Sequence, residues 1–179
     1  AHTLGQPQIR VTSFRPSVIF GRDDSFFNRF AGLLKHAPLV FPLACPEARF
    51  APVYVQDVAE AFARVLDDQT SFGKHFDLCG PDSYSLKELV AYTAQILGLR
   101  RLILGLGDLP SRAQAKVLGL MPGKPFTMDN YLSLQTDSVC AENGLLALGI
   151  QPQRIKTIVP LYLAQAGYRA RYDQYRRLV

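Results

Sequence analysis

The stretch Lys74-His75-Phe76-Asp77-Leu78-Cys79-Gly80-Pro81-Asp82-Ser83-Tyr84-Ser85-Leu86-Lys87-Glu88-Leu89-Val90 passes directly from one kind of secondary structure into another. Residues 74–79 read as a strand with Phe76 and Leu78 on one side. Gly80 and Pro81 stop it. Ser85 and Glu88 then stand at the spacing of a capping box, and Tyr84 and Leu89 where a hydrophobic staple sits. Leu86, Leu89, Val90, Thr93 and Leu97 form one helical stripe, which Gly98 ends.

The same unit recurs upstream. Residues 9–14 alternate and are β-branched, which predicts a strand ending near Pro16. Ser17 to Phe20 is apolar again, and Asp23, Asp24 and Ser25 offer caps for a helix carrying Phe26, Phe30, Leu33 and Leu34. Residues 50–55 predict another strand. Asp57 is the expected N-cap of the helix after it, with Glu60 as a capping-box partner and Val58, Ala61, Phe62, Val65 and Leu66 as its stripe. Three strands that each run into a capped helix predict an α/β layer.

Downstream the pattern loosens. Residues 99–109 are rich in Leu and Gly, and a helix is expected from near Pro110. An extended piece near Phe126, a helix over 129–134 and a short helix ending within 145–149 follow. Pro152 opens a last helix, which Pro160 should kink or split. The expected organisation is a mixed strand-helix segment over 1–100 and a mainly helical segment over 101–179.

The chain has 179 residues, 48% of them apolar, which is enough for one ordinary core. With 20% charged residues and eleven Phe it is not a disordered composition. No apolar run approaches the roughly 20 residues needed to cross a bilayer. Its formal charge of +5 is unevenly placed. Residues 1–149 hold 14 basic and 14 acidic residues; residues 150–179 hold six basic residues against Asp173 alone. A basic body for nucleic acid is therefore not indicated, and the partner question moves to the tail, where Tyr168, Tyr172 and Tyr175 interleave with arginines.

The chemistry is sparse. Gly105-Leu106-Gly107-Asp108-Leu109-Pro110 is an incomplete dinucleotide fingerprint, with Pro in place of the third glycine, and reads as a flexible loop. Cys45, Cys79 and Cys140 are 34 and 61 residues apart and, with lone His36 and His75, lack the paired spacing of a zinc site. Buried thiols in a reducing compartment are the expectation. No Tyr is followed four residues later by Lys, so no ammonium is placed to acidify a phenol.

Against these absences, Arg15-Pro16-Ser17-Val18-Ile19-Phe20-Gly21 resembles the R-P-x-x-x-[YF]-G segment of extended short-chain dehydrogenases/reductases. Val53-Tyr54-Val55-Gln56-Asp57-Val58-Ala59 is similar to that family's V-x-V-x-D-[VL]-A segment, and residues 73–81 to its late strand and turn. The three stand in family order over residues 10 to about 100. The nearest likeness is to the atypical branch that includes the nucleotide-binding accessory subunit of respiratory complex I and its bacterial relatives. It rests on Phe20-Gly21-Arg22-Asp23-Asp24, Phe27-Asn28-Arg29-Phe30, Pro52-Val53-Tyr54-Val55, Leu148-Gly149-Ile150 and the Tyr/Arg-rich end.

The resemblance implies the carboxy-terminal part of a Rossmann-like fold: late sheet strands plus a helical substrate-binding subdomain. The glycine-rich loop and Tyr-x-x-x-Lys pair of the family's amino-terminal half have no counterpart here. The chain is thus expected to be half of a longer protein, a complete natural protein being the alternative. NAD or NADP would belong to the intact parent and none to this chain alone. The resemblance makes Pro16, Ser17 and Val18 candidates for contact with the nicotinamide carboxamide, because open α/β sheets bind ligands at strand carboxyl ends. It makes Phe20, Asn28, Arg49 and Tyr54 candidates for the substrate cleft; no catalytic or metal-binding residue is expected. Two roles follow: a substrate-binding portion of an oxidoreductase or nucleoside-diphosphate-sugar epimerase, or a nucleotide-holding accessory protein. The latter would dock through 168–179 on a respiratory complex or an anionic membrane, with a cytoplasmic location, peripheral at the inner membrane. Nucleic acid is the least favoured partner.

Overall fold

The computed structural model describes residues 11–66, 68–120 and 126–164. The residues around the first expected strand's start and the whole segment 168–179 lie outside that set.

Strand β1 (Ser13–Pro16) is followed by β2 (Ile19–Phe20) and helix α1 (Phe27–His36). Then come β3 (Val40–Leu43), β4 (Arg49–Phe50), β5 (Val53–Tyr54) and α2 (Val55–Leu66). Strand β6 (His75–Leu78), β7 (Tyr84–Ser85) and α3 (Leu86–Ile96) form the next unit. The last part holds β8 (Leu102–Gly105), α4 (Asp108–Gly119), α5 (Met128–Ser133) and α6 (Gly144–Ala147). Helical residues 155–164 form α7.

The strands pair two by two. β1 with β6, β2 with β5 and β3 with β8 are parallel, while β4 with β7 is antiparallel. Parallel ladders separated by helices are the mark of an α/β fold, as the sequence predicts. Ser13 N–H donates to Lys74 O and Ser17 N–H to Leu78 O, so alternation turns the backbone of Ser13, Arg15 and Ser17 toward β6. The backbone of Phe14 and Pro16 faces the other edge, on which no strand pairs among the described residues.

Two cores flank the β2–β5 ladder. Phe20, Phe27, Leu34, Phe50, Leu89 and Val90 pack with Ile155, Val159 and Leu163 of α7 on one side. Val53, Val58, Ala61, Leu78, Leu145 and Ile150 pack on the other. Register pairs Phe20 with Tyr54 and Ile19 with Val53, so the pleat sends Phe20 and Tyr54 to the first core and Val53 to the second, while Ile19 stays exposed.

Several expectations need correction. Residues 50–55 are not one strand: Pro52, which has no N–H to donate, separates β4 from β5, and Val55 is already helical. Asp57 is therefore inside the first turn of α2, not its N-cap. Its carboxylate instead accepts from the Gln153 N–H at 2.7 Å and anchors the loop before α7. Phe62 and Leu66 stay 51% and 79% exposed, so the α2 stripe is narrower than expected. Helix α7 runs unbroken through Pro160 to residue 164. Residues 102–105, for which no element was expected, form a strand. The capping box of Ser85 and Glu88 is present as predicted.

Cys79 and Cys140 are not free thiols. They form a disulfide with Cα atoms 6.1 Å apart, and Cys45 is the free cysteine. No helix among the described residues is long and apolar enough to cross a membrane.

Candidate functional site

The candidate site lies where β1 gives up one partner and β2 takes another. Ser17 N–H donates to Leu78 O at 2.9 Å, and one residue later Val18 O accepts from Val53 N–H at 2.9 Å. The Ser17 side chain is buried and fully used: its hydroxyl donates to Ser138 O at 2.6 Å and accepts from Ser138 Oγ at 3.1 Å and Ala51 N–H at 3.3 Å. Ser138 O also accepts from Ala51 N–H at 3.0 Å, and Ser138 N–H donates to Arg49 O at 2.8 Å. A loop 121 positions away thus stitches the Ser17 turn to β4.

The disulfide holds that loop in place. Asn143 Nδ2 donates to Cys79 O at 2.7 Å, and Asn143 Oδ1 accepts from Leu145 N–H at 3.0 Å. Gly80 N–H donates to Ala51 O at 3.0 Å. A Cβ on Gly80 would lie 1.9 Å from Pro52 O, so glycine is required where the strands converge. Ser17 is one of the expected cofactor residues; Ser138, Asn143 and the disulfide are partners that local sequence pattern does not reveal, because each acts across more than 60 positions.

A dinucleotide's nicotinamide carboxamide needs one donor and one acceptor from backbone. The Ser17 N–H, its hydroxyl and the Val18 carbonyl are committed to the fold. The Pro16 carbonyl faces the edge away from β6, and β5 does not use the Val18 N–H. The Ser17 side chain, bonded to Ser138 and Ala51, fixes the backbone between them.

The expected substrate residues divide in two. Phe20 and Tyr54 come together, with ring centroids 5.5 Å apart, in a cluster with Phe27, Phe26 and Phe50. Phe20 and Phe27 are completely buried. The two polar members are exposed and locally bonded. Asn28 Nδ2 donates to Arg22 O and Asp24 O, each at 3.0 Å. Arg49 Nη2 and Nε donate to Ser83 Oγ at 3.2 and 3.3 Å. Asp24 is the organiser here: its Oδ1 accepts from Phe27 N–H at 2.6 Å and so caps α1, and its Oδ2 accepts from the Tyr162 hydroxyl at 2.7 Å. Burial, then the bond to Asp24, pushes the Tyr162 phenol well above its ordinary range.

Two further groups are disposed of by geometry. The Gly105-Leu106-Gly107 segment does connect a strand to a helix, unlike the expected flexible loop. Yet a Cβ on Gly105 would meet Pro46 at 2.8 Å, so its role is packing against Pro46. The first turn of α4 carries Asp108, whose carboxylate accepts from the Tyr131 hydroxyl, and a fixed anion there repels phosphate. Cys45 sits at φ 47° beside Ser111 and Gln135, but burial raises its pKa and keeps the thiol protonated. No group of His, Cys, Asp and Glu among the described residues could hold a metal ion.

No family model matches the chain. It is 33% identical to the rat protein "NADH dehydrogenase [ubiquinone] 1 alpha subcomplex subunit 9, mitochondrial", over 98% of this chain and 47% of that one. The Arabidopsis thaliana protein of the same name is 27% identical over 87% of this chain and 42% of its own length. The chain therefore spans about half the length of the curated relatives it matches. Among solved structures, an NADPH-dependent quinone oxidoreductase from Escherichia coli superposes with a TM-score of 0.56 at 20% identity, over 84% of this chain and 52% of that chain. A nucleoside-diphosphate-sugar epimerase from Staphylococcus aureus gives 0.56 at 18% identity, over 88% and 53%. At those identities the structures establish the fold.

Proposed function

We propose that the chain, 33% identical over 98% of its length to a complex I subunit 9 protein and folded like extended short-chain dehydrogenases/reductases, is the carboxy-terminal part of a nucleotide-holding accessory protein of a respiratory NADH dehydrogenase. The observation that carries this reading is the 33% identity that extends over 98% of the chain. The first of the two expected roles, a substrate-binding portion of an active oxidoreductase or epimerase, is less well supported. Its polar anchors, Asn28 and Arg49, are tied into turns of their own chain.

In the intact parent a bound NAD or NADP would supply hydride chemistry. This chain's share would be positional. The Pro16 carbonyl and Val18 N–H would hold the carboxamide, Ser17 would fix their spacing through Ser138 and Ala51, and the buried aromatic cluster of Phe20, Tyr54 and Phe27 would brace the turn from the core. The chain alone would bind dinucleotide poorly and turn nothing over. Segment 168–179 would provide the contact with the respiratory complex or its membrane, giving a location peripheral at the inner membrane.

The test is co-fractionation. An affinity-tagged full-length protein, expressed in its own cells and extracted in mild detergent, should sediment with NADH:quinone oxidoreductase activity. Removal of residues 168–179 should release it. Sedimentation as an isolated protein from intact, active membranes would overturn the proposal.

A further inference from the structure

Parallel sheets are ordinarily covered on both faces, because crossover helices pack on each side. The β3–β8 ladder departs from that rule. Its register pairs Val40 with Leu102 and Pro42 with Leu104, which places these four side chains on one face. The opposite face, with Phe41, Leu43 and Ile103, packs into the main core. The outer face is bare: Val40, Leu102 and Leu104 are 41%, 66% and 52% exposed, and Leu39, just before β3, is 74% exposed. Contiguous exposed leucines on a sheet mark a surface that something covers.

The charge around the face indicates what that is. No Asp or Glu occurs from Phe26 to Pro46 or from Leu89 to Gly107, the two segments that build the ladder. Those segments bring Lys35 to the start of β3 and Arg100 and Arg101 to the start of β8. Lys35, Arg100 and Arg101 form no ion pair among the described residues. Arg100 and Arg101 line an open depression of about 410 Å³ against α3 with Gln95, Gly98, Leu99 and Ile103, and Arg101 Nε donates to Leu34 O at 3.2 Å, which holds its guanidinium at the edge of the ladder. Helix α4 is tied to β3 by Gln114 Nε2 donating to Pro42 O at 3.1 Å. Its outer arc repeats the composition: Leu109, Val117 and Leu120 are exposed among Arg112 and Lys116.

We propose that the outer face of the β3–β8 ladder, with its cationic border of Lys35, Arg100 and Arg101, is a docking surface for an anionic lipid bilayer. Leucines and a valine projecting from a rigid sheet can enter the acyl boundary, and long basic side chains at its edge can reach anionic headgroups. A soluble acidic protein would satisfy the cations; a bilayer satisfies the cations and the bare apolar face together. The inference extends the accessory role proposed above by giving the folded body a membrane contact of its own. It does not depend on nucleotide or on segment 168–179.

The experiment is flotation of the 179-residue chain with vesicles of phosphatidylcholine alone or of equimolar phosphatidylcholine and phosphatidylglycerol. The chain should float with the anionic vesicles and not with the neutral ones, and rising salt should weaken the binding. The Leu102→Ser/Leu104→Ser double variant should bind at least 10-fold more weakly, and Arg100→Glu/Arg101→Glu should do the same, with unfolding midpoints near wild type for the exposed leucine positions. A chain lacking residues 168–179 should keep most of its binding. Three outcomes would overturn the proposal: no binding to anionic vesicles, binding abolished by the tail deletion but untouched by the leucine variants, or a concentration-dependent dimer dissolved by those variants. Co-fractionation with the respiratory enzyme is a separate readout, so either proposal can fail without the other.

Discussion

The Tyr162 hydroxyl donates to Asp24 Oδ2 at 2.7 Å, across 138 positions of sequence. The other carboxylate oxygen caps α1 through Phe27 N–H. One side chain thus starts the first helix and holds the last. Tyr162→Phe should lower stability by about 1 kcal/mol, the net contribution of one typical hydrogen bond. Asp24→Ala should cost about 2 kcal/mol, because the cap is lost and a partly buried hydroxyl is left without its acceptor. Urea midpoints of the two single variants and the double variant would show a coupling near 1 kcal/mol. Simple additivity would mean that the bond contributes nothing.

Gly80 and Gly32 make a paired test of local space. A Cβ on Gly80 would sit 1.9 Å from Pro52 O, whereas one on Gly32, in the middle of α1, meets nothing within 4 Å. Gly80→Ala should destabilise by about 3 kcal/mol through displaced backbone. Gly32→Ala should stabilise by about 0.5–1 kcal/mol by limiting the unfolded chain. Thermal midpoints that move in the same direction would contradict this reading.

The Cys79–Cys140 disulfide closes a loop with a sequence separation of 61. Loop closure of that size is worth about 4 kcal/mol in the chain-entropy model, and measured values more often fall at about 2–4 kcal/mol. Cys140→Ser, or prior reduction, should lower the denaturant midpoint accordingly. Thiol counting before and after reduction should rise from one to the three cysteines of the sequence. A midpoint indifferent to reduction would remove the bond from any structural role.

Alkaline titration offers a pH test with a definite sign. Burial, then the nearby Asp82, pushes Tyr84 from 10.0 up to about 12. Its protonated form is therefore favoured in the folded state. The associated stability is complete below the unfolded value of 10.0 and is lost as pH rises through about 12. Phenolate absorbance should show Tyr84 and Tyr162 still protonated above pH 10 and ionising together with unfolding. Complete ionisation of all eight tyrosines near pH 10 in the folded protein would refute it.

Most of the framework is legible in the sequence where the signal is local. The Ser85/Glu88 capping box and the strand before Pro16 depend on spacings of two to four residues and survive folding. The α1 stripe is shifted: Phe27, Ala31 and Leu34 are buried, and of the expected Phe26, Phe30, Leu33 and Leu34 only the last is among them. The misreadings share one cause. Asp57 has the chemistry of an N-cap, but the fold uses it to hold Gln153, 96 positions away. Cys79 and Cys140 are inert by spacing and bonded in space. Long-range polar partners leave no periodic trace, so they become visible only once the chain is closed.

The handover at Ser17 and Val18 also restricts how this segment can change. The β1–β6 ladder ends on Ser17 N–H, and the β2–β5 ladder begins on Val18 O, with no spacer between them. Adding or deleting one residue there would rotate every following side chain to the opposite face, exchanging Phe20 and Ile19 between a buried core and solvent. The segment can therefore tolerate substitution but not a change of length. An insertion or deletion between positions 16 and 19 would be expected only where a second, compensating one in the same segment returns Phe20 to its core.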